Sequence, residues 1–170
     1  MRGRGCQRRF DRDGELVLLD QQDRTRWDRA AIDSAEALIE RAARRRRPDR
    51  YQLQAAIVAC HADATTWADT DWQQIVVLNE MLMVFDTSPV TRLNRTVAIA
   101  QIGGPQSGLA ELEQLADPLG RYHLWHAARA RMLRLLGRGD EAREADAAAL
   151  GLTANGAERS LLRRRLDGSA

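Results

Sequence analysis

The sequence predicts an all-α fold built from antiparallel helix pairs, and two observations predict it. Two glycine-containing turns, residues 103–108 and 137–142, recur with an offset of 34 residues. A fixed period of this length is typical of repeats in which each unit is a helix pair that stacks on its neighbour. Apolar residues also recur at intervals of three and four along most of the chain, whereas no two segments show the alternation expected of paired strands.

The offset equals the period of the tetratricopeptide (TPR) repeat. Aligning both copies with that repeat places Thr96 and Ala130 at the small position of the first helix, and Gly108 and Ala142 at the small position of the second. Small side chains there allow two helices to approach closely. The bulky aromatic positions of the repeat are poorly kept, and residues 49–85 follow the period only approximately. We therefore expect TPR-like antiparallel helix-pair repeats, with about eight helices and an extended N-terminal strap.

The chain is predicted to divide into a linker remnant with the extended strap, residues 1–24, and a TPR-like helical domain, residues 25–167. The strap is the segment Gly14–Asp20, whose apolar run is too short for a helix of its own. Thr25 is predicted to cap a helix over residues 26–43, because its hydroxyl can accept an orphan amide hydrogen. Pro48 then prevents the helix from continuing.

Further helix boundaries follow from capping signals. Thr70 and Gln73 have the spacing of a capping box, and Ser88 followed by Pro89 is typical of a helix start. The remaining predicted helices cover residues 49–61, 105–115, 122–136, 140–150 and 155–166.

Composition limits the class of protein. The chain has 170 residues and 44% apolar residues, which is enough for one globular domain with a core. It carries 26 basic and 24 acidic residues, a balance that argues against a phosphate-binding protein. Every basic residue is Arg, which fits either bidentate recognition of carboxylates and phosphates or a GC-rich genome.

The cysteine content and hydropathy indicate a reducing, cytoplasmic compartment. Cys6 and Cys60 are the two cysteines, and they do not form a disulfide framework. No apolar run approaches the length of a membrane span, and the basic start lacks the apolar segment of a signal peptide. We expect no membrane contact.

Motifs for catalysis or cofactor binding are absent from the sequence, so we expect a protein that is not an enzyme and has no cofactor or metal. His123 and His126 lie three residues apart on one predicted helix face, and His61 with Cys60 could add ligands. A His-dependent metalloenzyme therefore remains an alternative, beside packed histidines that hydrogen-bond within the protein.

Candidate partner-binding residues come from two places. The first is the dense polar sequence between the strap and the first helix, and the second is a polar pair within the helix that follows Ser88. The candidates are Glu15, Asp20, Asp23, Arg24, Arg26, Trp27, Asp28, Asn94 and Arg95. For each, a core or solvent-facing role is the alternative to contact with a partner.

Five segments of the chain, read together, resemble one family. They are GELVLLDQQDRTRWDRAAI (14–32), RYQLQAAIVACHADA (50–64), TDWQQIVVLNEMLMV (70–84), SPVTRLNRTVAIAQIGGPQSGLAELEQL (88–115) and YHLWHAARARMLRLLGRGDEA (122–142). They resemble the C-terminal TPR-like extension of a group of extracytoplasmic-function RNA polymerase sigma factors. The resemblance covers residues 8–166.

The resemblance implies a bacterial cytoplasmic factor for transcription initiation. In that family, helical sigma regions read the promoter, and the extension controls them in cis through contact with the sigma regions or the RNA polymerase core. Residues 15–28 would form the junction. Neither promoter-reading region is expected in this chain, so DNA contact would occur only through N-terminal regions that it lacks. A free-standing TPR-like scaffold unrelated to polymerase remains the alternative.

Overall fold

The computed structural model describes residues 9–11 and 14–168, and these residues are predominantly helical. The described residues contain nine α-helices and one isolated antiparallel bridge between Phe10 and Leu16, with no named strand. The all-α prediction is therefore confirmed. None of the helices in the described ranges is long and apolar enough to cross a membrane.

The chain divides into two compact units, the first ending at Thr87 and the second beginning at Ser88. This division falls inside the helical domain predicted over residues 25–167. The predicted linker remnant lies largely outside the described residues, as does Cys6. The two units are described separately below.

The described residues of the first unit form a one-turn 3₁₀ helix and three α-helices. The 3₁₀ helix spans Arg24–Arg26, and it is followed by α1 (Arg29–Ala43), α2 (Arg50–Asp63) and α3 (Trp72–Leu82). In the strap, the backbone amide of Val17 donates to the carbonyl oxygen of Arg9, and a turn follows at residues 19–22.

Aspartates cap all three α-helices of this unit. Asp28, Asp49 and Asp71 each accept a hydrogen bond from the backbone amide three residues further on. The predicted caps Thr25 and Thr70 are therefore wrong. Trp27 has an extended backbone that separates the 3₁₀ turn from α1, and an ionised carboxylate at Asp28 suits the positive end of the helix.

The core of the first unit lies between α2 and α3. Leu53, Leu78 and Leu82 are buried there, with Ala56 and Ile57 packed against them. In contrast, α1 packs on α2 yet has no buried residue in the part of the chain that the structure describes. One face of the first unit therefore remains without an apolar cover.

The second unit contains six helices, whose bounds are α4 (Pro89–Gly103), α5 (Pro105–Glu113), α6 (Ala116–Leu119), α7 (His123–Leu135), α8 (Gly139–Leu152) and α9 (Gly156–Leu166). Ser88 caps α4 by accepting from the Thr91 amide, as the Ser-Pro signal predicts. The short α6 was not predicted; Pro118 is its third residue, and proline is tolerated in the first turn of a helix.

The small repeat positions lie at close helix contacts. Gly108 is buried in α5, and a Cβ atom built on it would lie 2.5 Å from Cβ of Ala100 in α4. Thr96, Ala130 and Ala142 are also buried. The indole Nε1 of Trp125 donates to the carbonyl oxygen of Leu112 at 2.9 Å and so joins α7 to α5.

Candidate functional site

An open groove of about 730 Å³ lies in the first unit, between the N-terminal segment, α1 and α2. We call it the strap groove. Most of its lining side chains are apolar, and several are alanines. The lining residues are Arg9, Leu19, Gln22, Trp27, Asp28, Ala31, Ile32, Ala35, Glu36, Ile39, Ala55, Val58, Ala59, His61 and Ala62.

The apolar stripe of α1 forms one wall of the groove. Ile32, Ala35 and Ile39 recur at helical spacing and share this face of the helix. Across the groove on α2, Val58 is 65% exposed. A surface helix normally buries such a stripe against a core, whereas this face of α1 has no buried residue within the described structure.

Two arginines, one in the 3₁₀ helix and one at the start of α1, form hydrogen bonds to the end of α2. Nη1 of the buried Arg24 donates to the carbonyl oxygens of His61 at 2.9 Å and Ala64 at 3.1 Å. Nη1 of Arg29 donates to the carbonyl oxygen of Ala62 at 3.0 Å. The last carbonyls of a helix lack intrahelical donors and carry partial negative charge, so both guanidinium groups are favourably placed.

The Arg24 guanidinium also lies over the indole of Trp27, with 5.2 Å between its carbon and the ring centroid. This distance is within the range of a cation–π contact. Trp27 is half-buried and lines the groove, so Arg24 fixes the position of an aromatic side chain at the groove wall. Burial lowers the pKa of Arg24, while the nearby Asp69 carboxylate acts in the opposite direction.

His61 lies in an aromatic cluster at the end of α2. Its ring is stacked with that of Trp67 at a centroid distance of 6.1 Å and meets Trp72 edge-on at 5.3 Å. Burial and the positive charge of Arg24 both lower the pKa of His61, so its imidazole is neutral at physiological pH. Its Nδ1 atom is buried without a hydrogen-bond partner among the described residues.

Glu36 and Asp63 form a carboxyl pair where α1 meets α2. The hydrogen bond between the Glu36 and Asp63 carboxyl groups raises the pKa of Glu36. Burial and the charge of Asp63 raise it further. Arg29 opposes this shift and Asp33 adds to it. Apart from the contact with the Asp63 carboxyl, Oε1 of Glu36 is buried without a hydrogen-bond partner among the described residues.

The predicted partner-binding residues of the first unit have different surroundings. Trp27 and Asp28 line the groove, whereas Arg24 is buried behind it. Asp23 and Arg26 are exposed, and Asp23 accepts from the amide and the hydroxyl of Thr25.

The other two strap candidates, Glu15 and Asp20, are half-buried. The amide of Glu15 donates to Oδ1 of Asp11 at 2.9 Å, so this residue stabilises the turn around Gly14. Neither Glu15 nor Asp20 lines the groove.

Asn94 and Arg95 belong to α4 in the second unit. Asn94 is exposed, and Nη1 of the half-buried Arg95 lies 3.4 Å from Oε2 of Glu111 in α5. The Arg95 contact joins the two helices of a repeat pair.

The histidines considered as metal ligands have separate partners. Nε2 of His123 lies 3.1 Å from Oε2 of Glu158, whereas Nε2 of His126 is 2.8 Å from the carbonyl oxygen of Gly120. Within the described ranges, no three His, Cys, Asp or Glu side chains are grouped so that they could hold a metal ion.

Sequence reasoning missed two features of the groove, the Glu36–Asp63 pair and the cluster of His61 with Trp67 and Trp72. No local sequence pattern indicates that Glu36 of α1 faces Asp63 of α2.

Comparison with known proteins adds two matches. Residues 4–43 match a family of unknown function, DUF6596. The match ends at Ala43, the last residue of α1, and therefore covers the strap and one wall of the groove.

The chain is also similar to an uncharacterized protein of Rhizobium meliloti (strain 1021), with 44% identity over 159 residues. This alignment covers 94% of the chain but only 38% of the relative, so the chain spans less than half the length of that protein. No solved structure matches the chain.

Proposed function

We propose that this chain is a regulatory, protein-interaction domain of an extracytoplasmic-function RNA polymerase sigma factor. It acts in the control of transcription initiation, in the bacterial cytoplasm. The observation that carries the proposal is the apolar stripe of α1, which has no buried residue within the described structure and forms a wall of the strap groove. Exposed apolar surfaces of this kind mark sites of protein contact.

The groove has the layout of a protein interface. Its centre is apolar, while Trp27 and Asp28 add an aromatic and a charged group from the N-terminal side. Arg24 and Arg29 hydrogen-bond to α2 within the chain itself, so these contacts do not require a partner. A preorganised surface loses less conformational entropy on binding, which favours affinity.

The assignment to sigma factors depends on the sequence resemblance. Its first segment, residues 14–32, includes the strap and the start of α1, the elements that form the groove. The Rhizobium relative is much longer than the matched region, which leaves room for promoter-reading regions in a protein of this kind. In the proposal, the partner is a sigma region or the polymerase core, and the domain itself performs no catalytic step and uses no cofactor.

A pair of matched valine variants tests the proposal. Val58 lies in the groove and is 65% exposed, whereas Val77 lies on α3 and is 47% exposed. Because both side chains are exposed, Val58→Asp and Val77→Asp should both fold. We expect the chain to bind purified polymerase core or the promoter-reading regions of sigma factors from the same genome, and Val58→Asp to weaken that binding while Val77→Asp does not.

The measurement is biolayer interferometry with the immobilised 170-residue chain. No binding to either the core or the sigma regions would contradict the proposal and favour a free-standing scaffold. If Val58→Asp and Val77→Asp weakened partner binding equally, the partner would not bind specifically at the strap groove.

A further inference from the structure

The strap groove has the size and lining of a small-molecule site. Its volume of about 730 Å³ lies within the roughly 300–1,000 Å³ range of ligand pockets. Such pockets are mostly apolar and contain a few polar groups that orient the ligand. Ile32, Ile39 and Val58 supply apolar contacts here, while Glu36 and His61 supply polar atoms.

Each of those two groups contributes a buried atom that, apart from the contact of Glu36 with the Asp63 carboxyl, has no hydrogen-bond partner among the described residues. The atoms are Oε1 of Glu36 and Nδ1 of His61. Buried polar atoms in folded proteins nearly always have a partner, because leaving one unsatisfied is costly. Two such atoms lining one groove therefore indicate a ligand that hydrogen-bonds to them.

Both atoms are suited to accept hydrogen bonds. An ionised Glu36 carboxylate only accepts, and a neutral imidazole with its proton on Nε2 presents an acceptor lone pair at Nδ1. The charged groups near His61 and Glu36 are Arg24, Arg29, Asp33 and Asp63. Nη1 of each arginine already donates to a carbonyl oxygen at the end of α2, whereas Nη2 of Arg24 is buried without a hydrogen-bond partner among the described residues.

The charge balance favours a cation over an anion. Asp28 and Glu36 line the groove and Asp63 lies beside Glu36, whereas the basic groups are Arg9 in the lining and Arg24 beside His61. A cationic donor would be attracted by the carboxylates, while a carboxylate ligand would be repelled by them.

We propose that the strap groove binds a small amphiphilic amine, with its apolar body along α1 and α2 and its ammonium group donating to Glu36 and His61. Binding is a property of this chain alone, and so it does not depend on the sigma-factor assignment. A ligand held there would also cover the face proposed for protein docking, and the two would exclude each other.

Isothermal titration calorimetry at neutral pH tests this proposal with three eight-carbon probes below their micelle concentrations: octylammonium, octanoate and octanol. We expect octylammonium to bind about tenfold more tightly than either of the others, since a charge-assisted hydrogen bond is roughly twice as strong as a neutral one. Equal affinities for octylammonium and octanoate, or for octylammonium and octanol, would overturn the proposal. So would the absence of octylammonium binding.

Three variants locate the site. Glu36→Gln should weaken octylammonium binding about tenfold and leave octanol unchanged. Glu40→Gln, the same substitution at an exposed position of α1 outside the groove lining, is the matched control and should have no effect. Val58→Arg introduces a positive charge at an exposed lining position and should weaken octylammonium binding but not octanoate binding. Unchanged octylammonium affinity in Glu36→Gln, with helical content retained by circular dichroism, would place any binding elsewhere.

Discussion

Nη1 of Arg24 donates to the carbonyl oxygen of His61 at 2.9 Å, and this bond joins the N-terminal segment to the end of α2. The same guanidinium lies over Trp27, and its charge adds to the effect of burial in lowering the pKa of His61. One buried arginine therefore fixes a wall of the strap groove and influences the protonation of a group that lines it.

Replacing Arg24 should destabilise the first unit. Arg24→Ala removes hydrogen bonds from a charged donor to two carbonyl oxygens and to the Thr70 hydroxyl. We expect a loss of roughly 2–4 kcal/mol in the free energy of unfolding, measured by urea denaturation. Arg26→Ala, at an exposed neighbouring position, should change it by less than about 0.5 kcal/mol. Similar losses in the two variants would show that the Arg24 contacts contribute little.

Gly108 should be intolerant of a side chain. A Cβ atom there would lie 2.5 Å from Cβ of Ala100 and 3.0 Å from the carbonyl oxygen of Thr96, so Gly108→Ala forces α4 and α5 apart. We expect it to cost about 1–3 kcal/mol, seen as a lower melting temperature. Gly151→Ala is the control, because that glycine is also helical but has no atom near its Cβ position. It should be neutral or stabilising by up to about 1 kcal/mol, and equal effects would contradict close packing at Gly108.

Glu36→Gln should stabilise the protein at neutral pH and not in acid. The folded pKa of Glu36 is raised above its ordinary value, so its contribution to stability is complete at low pH and is lost as the pH rises through the folded pKa. Gln carries no charge and avoids that loss. Thermal unfolding at about pH 4 and about pH 7 measures the difference, and Glu40→Gln, at an exposed position of the same helix, is the control. If Glu36→Gln stabilised the protein equally at both pH values, titration of Glu36 would not be the cause.

Because the pKa of His61 is lowered, this residue should make the folded protein less stable as the pH falls. Its folded pKa lies below the ordinary value of 6.5, so the unfolded chain takes up the proton first. The contribution to stability is present above that value and is lost as the pH falls towards the folded pKa.

His61→Phe removes this titration and can keep ring contacts with Trp67 and Trp72. Because Glu36 has the opposite pH dependence, the comparison belongs in a Glu36→Gln background. Chemical denaturation from neutral to mildly acidic pH should show a smaller loss of stability in the His61→Phe variant than in the protein that retains His61. Parallel curves for the two proteins would contradict the lowered pKa.

Local signals predicted most helices of the chain well. Ser88 and Pro89 start α4, and Asn155 caps α9, because these preferences depend on a few neighbouring residues. The glycine turns were also readable, since Gly104 and Gly137 adopt positive φ angles that other residues rarely adopt. The start of α1 was predicted three residues early, because both Thr25 and Asp28 are good caps and the extended Trp27 between them decided the outcome.

The candidate site was only partly predictable. Trp27 and Asp28 were selected from the dense polar sequence, and both line the groove. Arg24 was selected for the same reason but is buried, because its guanidinium contacts carbonyl oxygens of His61 and Ala64 that lie far away in the sequence. No local pattern specifies such a partner.

The sequence by itself determined the all-α class, the helix pairs and the positions of small residues such as Gly108. Capping, periodicity and turn chemistry act over a few residues and are therefore visible in it. Only the tertiary structure decided that α1 leaves its apolar stripe uncovered and that Glu36 faces Asp63. Both features depend on how one helix packs against another, and that packing is set by the whole unit rather than by the neighbours of any one residue.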